Sequence, residues 1–180
     1  MPIPVRDRME GVTHGTLAYV SIRSEPDERG IRAALFLVNE RAEPLDFCFN
    51  RIELPSPILW RAGEARRYAI RSLLLSLLPA CPGRPDLLLA LAEEVPPQVF
   101  TEDLEVNVPH GRITTEPSLI RSALESAEEI GERVHVFWVG GPPLSETVAR
   151  QLLEHLASRH LLVEPFERAA KGLDEAFGST

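Results

Sequence analysis

Three apolar segments follow one another early in the chain: TLAYVSIR (Thr16–Arg23), IRAALFLVNE (Ile31–Glu40) and LDFCFNRIEL (Leu45–Leu54). The first and third alternate their side chains with the period of two that is typical of strands. The links between the segments hold only seven and four residues, which is too short for a helical crossover. The sequence therefore predicts a three-stranded antiparallel meander.

Helices and strands alternate after the meander. Ala62–Ala80 has helical spacing, and Asp86–Ala92 (DLLLALA) is a short apolar run that is typical of a strand buried on both faces. The later elements are predicted as a short strand at Leu104–Val108, a helix over Pro117–Glu129, a strand over Arg133–Val139, a helix from Ser145 to Ser158, a short strand at Leu161–Val163 and a C-terminal helix closed by Gly178. We expect Asp86–Ala92 and Arg133–Val139 to be buried neighbours in the sheet.

This order of elements predicts one α/β domain over residues 1–180, with residues 1–14 as a loose N-terminal arm. Its mixed sheet begins with the antiparallel meander and continues with alternating helices and strands. The order is similar to the ribonuclease H-like arrangement, which also begins with three antiparallel strands and then alternates helix and strand. That similarity is one of element order, and no motif accompanies it.

Charge is distributed unevenly along a chain whose formal net charge is −8. Residues 1–91 hold 12 arginines and 11 acids, whereas residues 92–180 hold 7 basic residues and 16 acids. A strongly acidic half repels phosphate and is unfavourable for a protein that wraps nucleic acid. We therefore expect nucleic acid as a partner only through the basic patch between Arg61 and Arg71.

The first ten residues, MPIPVRDRME, lack the apolar run of a signal peptide. The apolar stretches around Ile70–Leu78 and Leu87–Ala92 are shorter than the ~20 residues that a membrane span requires. We therefore expect a cytoplasmic protein without a membrane partner. In that compartment Cys48 and Cys81 are expected to be reduced and unpaired.

Carboxylates gather after the strand predicted at Asp86–Ala92. Glu93 and Glu94 follow it directly, and Asp103 lies in the next loop. Strand ends in α/β sheets are common ligand sites, and a two-metal hydrolase needs carboxylates that converge from different strands. The first strand supplies none. Glu93, Glu94 and Asp103 are therefore the candidate catalytic residues if the protein is an enzyme, and part of a solvated acidic rim if it is not.

Basic residues are most concentrated at the start of the predicted helix, where the aromatic residue Trp60 precedes Arg61, Arg66, Arg67 and Arg71. Arginines beside an aromatic residue are typical of surfaces that bind a nucleic-acid strand or an acidic partner. The alternative is a solvated face on which Glu64 pairs with Arg67. We take the set as the candidate binding residues for nucleic acid or a partner protein.

No pattern predicts a cofactor or a resident metal. The turn Gly140–Pro143 joins a strand to a helix, but its two prolines lack the N–H groups with which a phosphate cradle is built. Five histidines are scattered along the chain, and no histidine or cysteine has a partner at metal-ligand spacing. The residues thus favour a protein without catalytic activity.

Our leading hypothesis from the sequence is accordingly a non-catalytic accessory or interaction module that acts by contact with another protein chain, including a second copy of itself. Ile58, Leu59 and Trp60 form an apolar run on a surface connection, where they either fold back onto the helix or meet that partner. The alternative is a metal-dependent nuclease or hydrolase of ribonuclease H-like architecture.

Overall fold

A seven-stranded mixed sheet forms the centre of the computed structural model, which describes residues 14–61, 63–131 and 133–178. The strands are β1 (Thr16–Ser24), β2 (Gly30–Asn39), β3 (Pro44–Glu53), β4 (Leu87–Leu91), β5 (His110–Thr114), β6 (Glu128–Glu129) and β7 (His135–Val139). They lie side by side in the order β3-β2-β1-β4-β5-β7-β6. Apart from His14, the predicted N-terminal arm lies outside the described residues.

The predicted meander is confirmed. β1 pairs antiparallel with β2, which places Leu17 opposite Val38, and β2 pairs antiparallel with β3, which places Leu35 opposite Cys48. The α/β class with a mixed sheet is confirmed as well. Local alternation was a sufficient signal here because each strand pairs with its neighbour in sequence.

Helices cover both faces of the sheet. They are α1 (Glu64–Leu77), α2 (Pro117–Ser122), α3 (Val148–Ser158) and α4 (Glu164–Phe177), with a 3₁₀ turn at Leu78–Ala80 and a π-helical turn at Val99–Asp103. Because side chains alternate along β1, Ala18 and Val20 join the core under α1, whereas Leu17 and Tyr19 join the core under α3 and α4. Tyr19 also donates a hydrogen bond to the Leu162 carbonyl at 3.0 Å.

The predicted contact between the two central strands is wrong, because β5 lies between β4 and β7. β5 is fully buried although its sequence, HGRIT, is not an apolar run. A Cβ at Gly111 would lie 2.8 Å from the carbonyl oxygen of Phe137, so glycine permits the close approach of β7. The guanidinium of Arg112 lies over the Phe137 ring at 5.2 Å. These tertiary contacts account for a buried strand with polar residues.

Other predicted boundaries also differ. The helix predicted over Pro117–Glu129 ends at Ser122, and Glu128–Glu129 instead pairs with β7. The segments Leu104–Val108 and Leu161–Val163 form no strand. The cap of α3 is Thr147, not Ser145, and its hydroxyl accepts a hydrogen bond from the Arg150 N–H at 3.3 Å.

Three parallel strands give the sheet a common edge, which we call the carboxyl edge. β1, β4 and β5 run parallel, so their last residues, Ser24, Leu91 and Thr114, lie at this edge. β3 runs in the same direction as β1, and α1 follows it through the connection 54–63. The first turn of α1 therefore starts near the edge where α/β proteins commonly bind ligands.

Candidate functional site

Two of the candidate carboxylates lie at the carboxyl edge, and both are hydrogen-bonded to neighbouring strands. Glu93 accepts a hydrogen bond from the Thr114 hydroxyl at 2.5 Å. Glu94 accepts one from the backbone N–H of Ile22 at 2.7 Å, and its other oxygen lies 3.8 Å from Arg23. These contacts tie the exit of β4 to both neighbours, β5 and β1.

Burial governs the ionisation of Glu94. It raises the pKa of this carboxyl above its usual value, although the Ile22 N–H and the Arg23 guanidinium both act to lower it. Nearby Glu93 adds to the rise. Glu94 is thus a buried carboxyl that is bonded to the backbone of β1, whereas a metal ligand would have its oxygens aimed at an open site.

The third candidate, Asp103, lies in the π-helical turn and is bound by Arg67. The Arg67 guanidinium donates to both carboxylate oxygens of Asp103 at 2.6 Å and to Glu102 at 2.7 Å. This bidentate contact lowers the pKa of Asp103. The predicted pair between Arg67 and Glu64 is therefore wrong, because the arginine turns from its own helix to a segment 36 residues away.

These carboxylates do not fit a two-metal centre. Such a centre needs several carboxylates that converge from different elements, and β1 contributes none to the carboxyl edge. Glu93 and Glu94 come from one loop, and Asp103 is bound by Arg67. Within residues 14–61, 63–131 and 133–178, no three His, Cys, Asp or Glu side chains are grouped so that they could hold a metal ion.

A groove of about 900 Å³ lies beside the carboxyl edge, and we call it the arginine groove. Its cationic side chains come from the β1–β2 turn (Arg29), from β3 (Arg51) and from the connection and first turn of α1 (Arg61 and Arg66). Its acids are Glu25, Asp27, Glu28 and Glu53. Equal numbers of both charges make the lining nearly neutral in a chain with a net charge of −8.

Ion pairs and hydrogen bonds position several of these groove residues. Glu25 lies 3.3 Å from the Arg32 guanidinium and 3.5 Å from that of Arg51, so its charge is compensated. Arg66 donates to the Ser24 hydroxyl at 2.8 Å, which joins α1 to the end of β1. The groove is therefore built from residues that the sequence separates widely.

An apolar tip stands at the rim of the groove, on the connection between β3 and α1. Ile58 is 90% exposed and Leu59 is 84% exposed, between Pro57 and Trp60. Trp60 itself folds back onto the helix, where its ring packs against Tyr68 with 4.9 Å between centroids. The predicted apolar run is thus divided: Trp60 staples the connection to α1, and the two residues before it remain exposed.

The structure separates the predicted arginine set into two groups. Arg61 and Arg66 line the arginine groove, whereas Arg67 and Arg71 face the π-helical turn, where Arg71 donates to the Asp103 carbonyl at 3.3 Å. Sequence reasoning missed Arg29 and Arg51. No local pattern identifies either residue, because only the pairing of β2 with β3 brings them to the same cleft.

The fold has known counterparts. The chain is similar in structure to endonuclease V from Streptomyces avermitilis, with a TM-score of 0.58 over 91% of this chain and 83% of that one, at 14% sequence identity. Endonuclease V from Bacillus subtilis gives a TM-score of 0.56 over 90% of this chain and 80% of that one, at 10% identity. The chain shares the endonuclease V fold.

The sequence itself leads to no relative. No protein-family model matches it, and no curated protein is similar to it in sequence. The endonuclease V fold confirms the mixed sheet that begins with a meander, and at these identities it establishes architecture alone. Among the described residues, no helix has the length and apolar character of a membrane span.

Proposed function

We propose that this protein binds nucleic acid in the arginine groove. One observation carries the proposal: four arginines from three separate segments converge on a cleft of about 900 Å³ beside an exposed apolar tip. Arginine forks bind phosphate oxygens, and apolar residues at a groove rim contact bases. The endonuclease V fold supports the proposal, because both structural neighbours carry the name of a nuclease.

The electrostatics of the groove suit this role better than those of the remaining chain. Residues 92–180 carry a large acidic excess, which repels a phosphate backbone. In the groove the charges are balanced, and Glu25 is already paired with Arg32 and Arg51. A strand that enters this cleft meets four arginines in a lining whose acids balance their charge.

Replacing Arg61 and Arg66 by glutamine tests the proposal. Binding of labelled single-stranded and duplex oligonucleotides would be measured by fluorescence anisotropy between about 50 and 200 mM salt. We expect the affinity of the wild type for the oligonucleotides to fall as the salt concentration rises. For a single strand, the slope of log affinity against log salt concentration should be shallower in the double variant by up to about 1.4, since each lost phosphate contact accounts for about 0.7.

The matched control is the double variant Arg84→Gln, Arg159→Gln. Both residues are exposed and lie outside the groove, so this variant loses the same charge without removing a contact. Its salt slope should equal that of the wild type. A wild-type protein that binds no nucleic acid in a salt-dependent way would refute the proposal.

Metal-dependent nuclease or hydrolase activity through Glu93, Glu94 and Asp103 is the second candidate function. The likeness to two proteins named endonuclease V favours it over the protein-contact module. The hydrogen bonds of all three carboxylates oppose it. Calorimetry with Mg²⁺ and Mn²⁺, combined with a cleavage assay, distinguishes the nuclease from a protein that only binds nucleic acid. Metal binding that is lost in Glu93→Gln would support the nuclease. Binding of nucleic acid without its cleavage would support the arginine groove alone.

A further inference from the structure

A second, smaller cavity lies on the other side of Trp60. It is a shallow, open cavity of about 350 Å³ that is bordered by the first two turns of α1 and by the π-helical turn. We call it the side pocket. Trp60 lines both the arginine groove and the side pocket, so the two cavities share this wall. A strand that occupies the groove therefore passes within reach of the pocket.

The shared wall is an aromatic platform. The rings of Trp60 and Tyr68 are 4.9 Å apart at an interplanar angle of 40°. Both side chains keep more than a third of their surface exposed, 36% for Trp60 and 39% for Tyr68. Exposed aromatic faces beside a cationic groove are the surfaces on which unpaired bases stack.

The polar lining of the pocket combines three carboxylates, Glu64, Glu102 and Asp103, with the guanidinium groups of Arg67 and Arg71. Arg71 donates a hydrogen bond to the Asp103 carbonyl at 3.3 Å. The Arg67 guanidinium is hydrogen-bonded to Asp103 and Glu102, and these bonds fix the side of the pocket that the π-helical turn forms. The carboxylate of Glu64 makes no hydrogen bond or ion pair with any described residue, although it also lines the pocket. Glu64 is thus an exposed acceptor at the edge of the aromatic platform.

Acceptors discriminate between bases. Cytosine and adenine present exocyclic amino groups, which donate to carboxylates, whereas thymine presents a carbonyl oxygen at the same place. A carboxylate opposite that carbonyl would be left unpaired and would repel it. The Glu64 edge of the side pocket therefore suits an amino-bearing base better than thymine.

From these contacts we infer that the side pocket holds one unpaired, amino-bearing nucleobase, stacked on Trp60 and Tyr68 and bonded through its amino group to Glu64. This inference rests on the proposed function and defines its substrate class as single-stranded nucleic acid with a base preference. It assigns the phosphates to the arginine groove and the base to the side pocket.

The test uses the full chain with Trp138→Phe, which leaves Trp60 as the only tryptophan. Oligodeoxycytidine and oligodeoxythymidine of equal length are titrated at the same salt concentration while Trp60 fluorescence is followed. We expect both to bind, oligodeoxycytidine to quench Trp60 more strongly, and its Kd to be about tenfold lower, as one charge-assisted hydrogen bond allows.

Adding Glu64→Ala should bring the two Kd values within about twofold of each other, because the discriminating acceptor is gone. Glu105→Ala removes an exposed acid outside both cavities and should leave the ratio unchanged. Equal Kd values for the two oligonucleotides in the Trp138→Phe protein would overturn the base preference and leave nucleic-acid binding intact. Failure of every oligonucleotide to bind would overturn the proposed function as well.

Discussion

Cys48 shows how its surroundings set the reactivity of a thiol. Its Sγ lies half-buried on β3 and donates a hydrogen bond to Asp46 at 3.2 Å. Burial first, and then the Asp46 carboxylate, raise the pKa of Cys48 to about 11. Because only the thiolate is nucleophilic, this thiol is nearly inert at neutral pH.

Alkylation of Cys48 in the Cys81→Ser variant measures this effect directly. At pH 8 about one Cys48 side chain in a thousand is ionised, so iodoacetamide should modify it slowly, and the rate should rise up to about pH 11. Adding Asp46→Asn removes one cause of the raised pKa of Cys48 and should accelerate alkylation at pH 8 several-fold. Mass spectrometry over a pH series gives both rates, and a plateau below pH 9 would contradict the assignment.

Glu94 is a second residue whose ionisation is coupled to its burial. Its pKa is raised in the folded protein, mainly by burial. A carboxyl whose folded pKa exceeds its unfolded value favours folding at low pH, and this contribution is lost as the pH rises from about 4.5 through the folded pKa. The folded protein therefore stabilises the ionised form of Glu94 less than the unfolded chain does.

Replacing Glu94 by glutamine should remove this pH dependence while keeping an acceptor for the Ile22 N–H. We expect the free energy of unfolding of the wild type, relative to Glu94→Gln, to fall between about pH 4 and pH 7. Urea unfolding at both pH values measures it. Glu146→Gln, at an exposed site, is the control, and an identical pH dependence in both variants would show that Glu94 is not a buried acid.

The guanidinium of Arg67 joins α1 to the π-helical turn. Asp103→Asn weakens the bidentate contact with Arg67, which the structure shows at 2.6 Å on both oxygens. The amides of Val99–Asp103 should then exchange with deuterium several-fold faster, while those of α1 stay protected by their own ladder. Glu105→Gln is the matched control, and unchanged exchange in Asp103→Asn would mean that the contact does not hold the turn.

The elements that the sequence predicts are those with local signals. The meander was predictable because β1, β2 and β3 pair in chain order, and Glu93 and Glu94 were placed at a strand end because they follow an apolar run. β5 was not predictable, because Gly111 and Arg112 interrupt any apolar run and are accommodated only by contacts with β7. Burial that depends on a partner element leaves no local pattern.

The candidate site follows the same rule. Arg61 and Arg66 were identified because they lie close together in sequence beside Trp60. Arg51 reaches the same groove through β-sheet pairing, and the partner of Arg67 is 36 residues away. Spacing along a helix therefore predicted which residues are basic neighbours, but not which of them are bound by distant acids.

The apolar tip at Ile58 and Leu59 favours self-association of the protein. Ile58 and Leu59 are almost fully exposed, whereas Trp60 is 36% exposed and packs against Tyr68. We expect the free protein to form dimers or larger species at high concentration, above the 20.0 kDa of the monomer, because clustered exposed apolar side chains favour burial against a partner.

Light scattering over a concentration series tests this expectation. The double variant Ile58→Ser, Leu59→Ser should remain monomeric, and a saturating oligonucleotide should compete with association if both use the same rim. Leu124→Ser is a suitable control, since it removes an exposed apolar side chain far from the tip in sequence. A wild type that stays monomeric at high concentration would refute self-association.

The position of β1 has a consequence for the growing polypeptide. The partner β2 is available to β1 once residue 39 has left the ribosome, but the other neighbour of β1, β4, ends only at residue 91. A nascent chain on the ribosome therefore carries one unpaired apolar strand edge for the time needed to add some fifty residues. During this interval a chaperone that binds extended apolar segments would have its clearest target in Leu17–Val20.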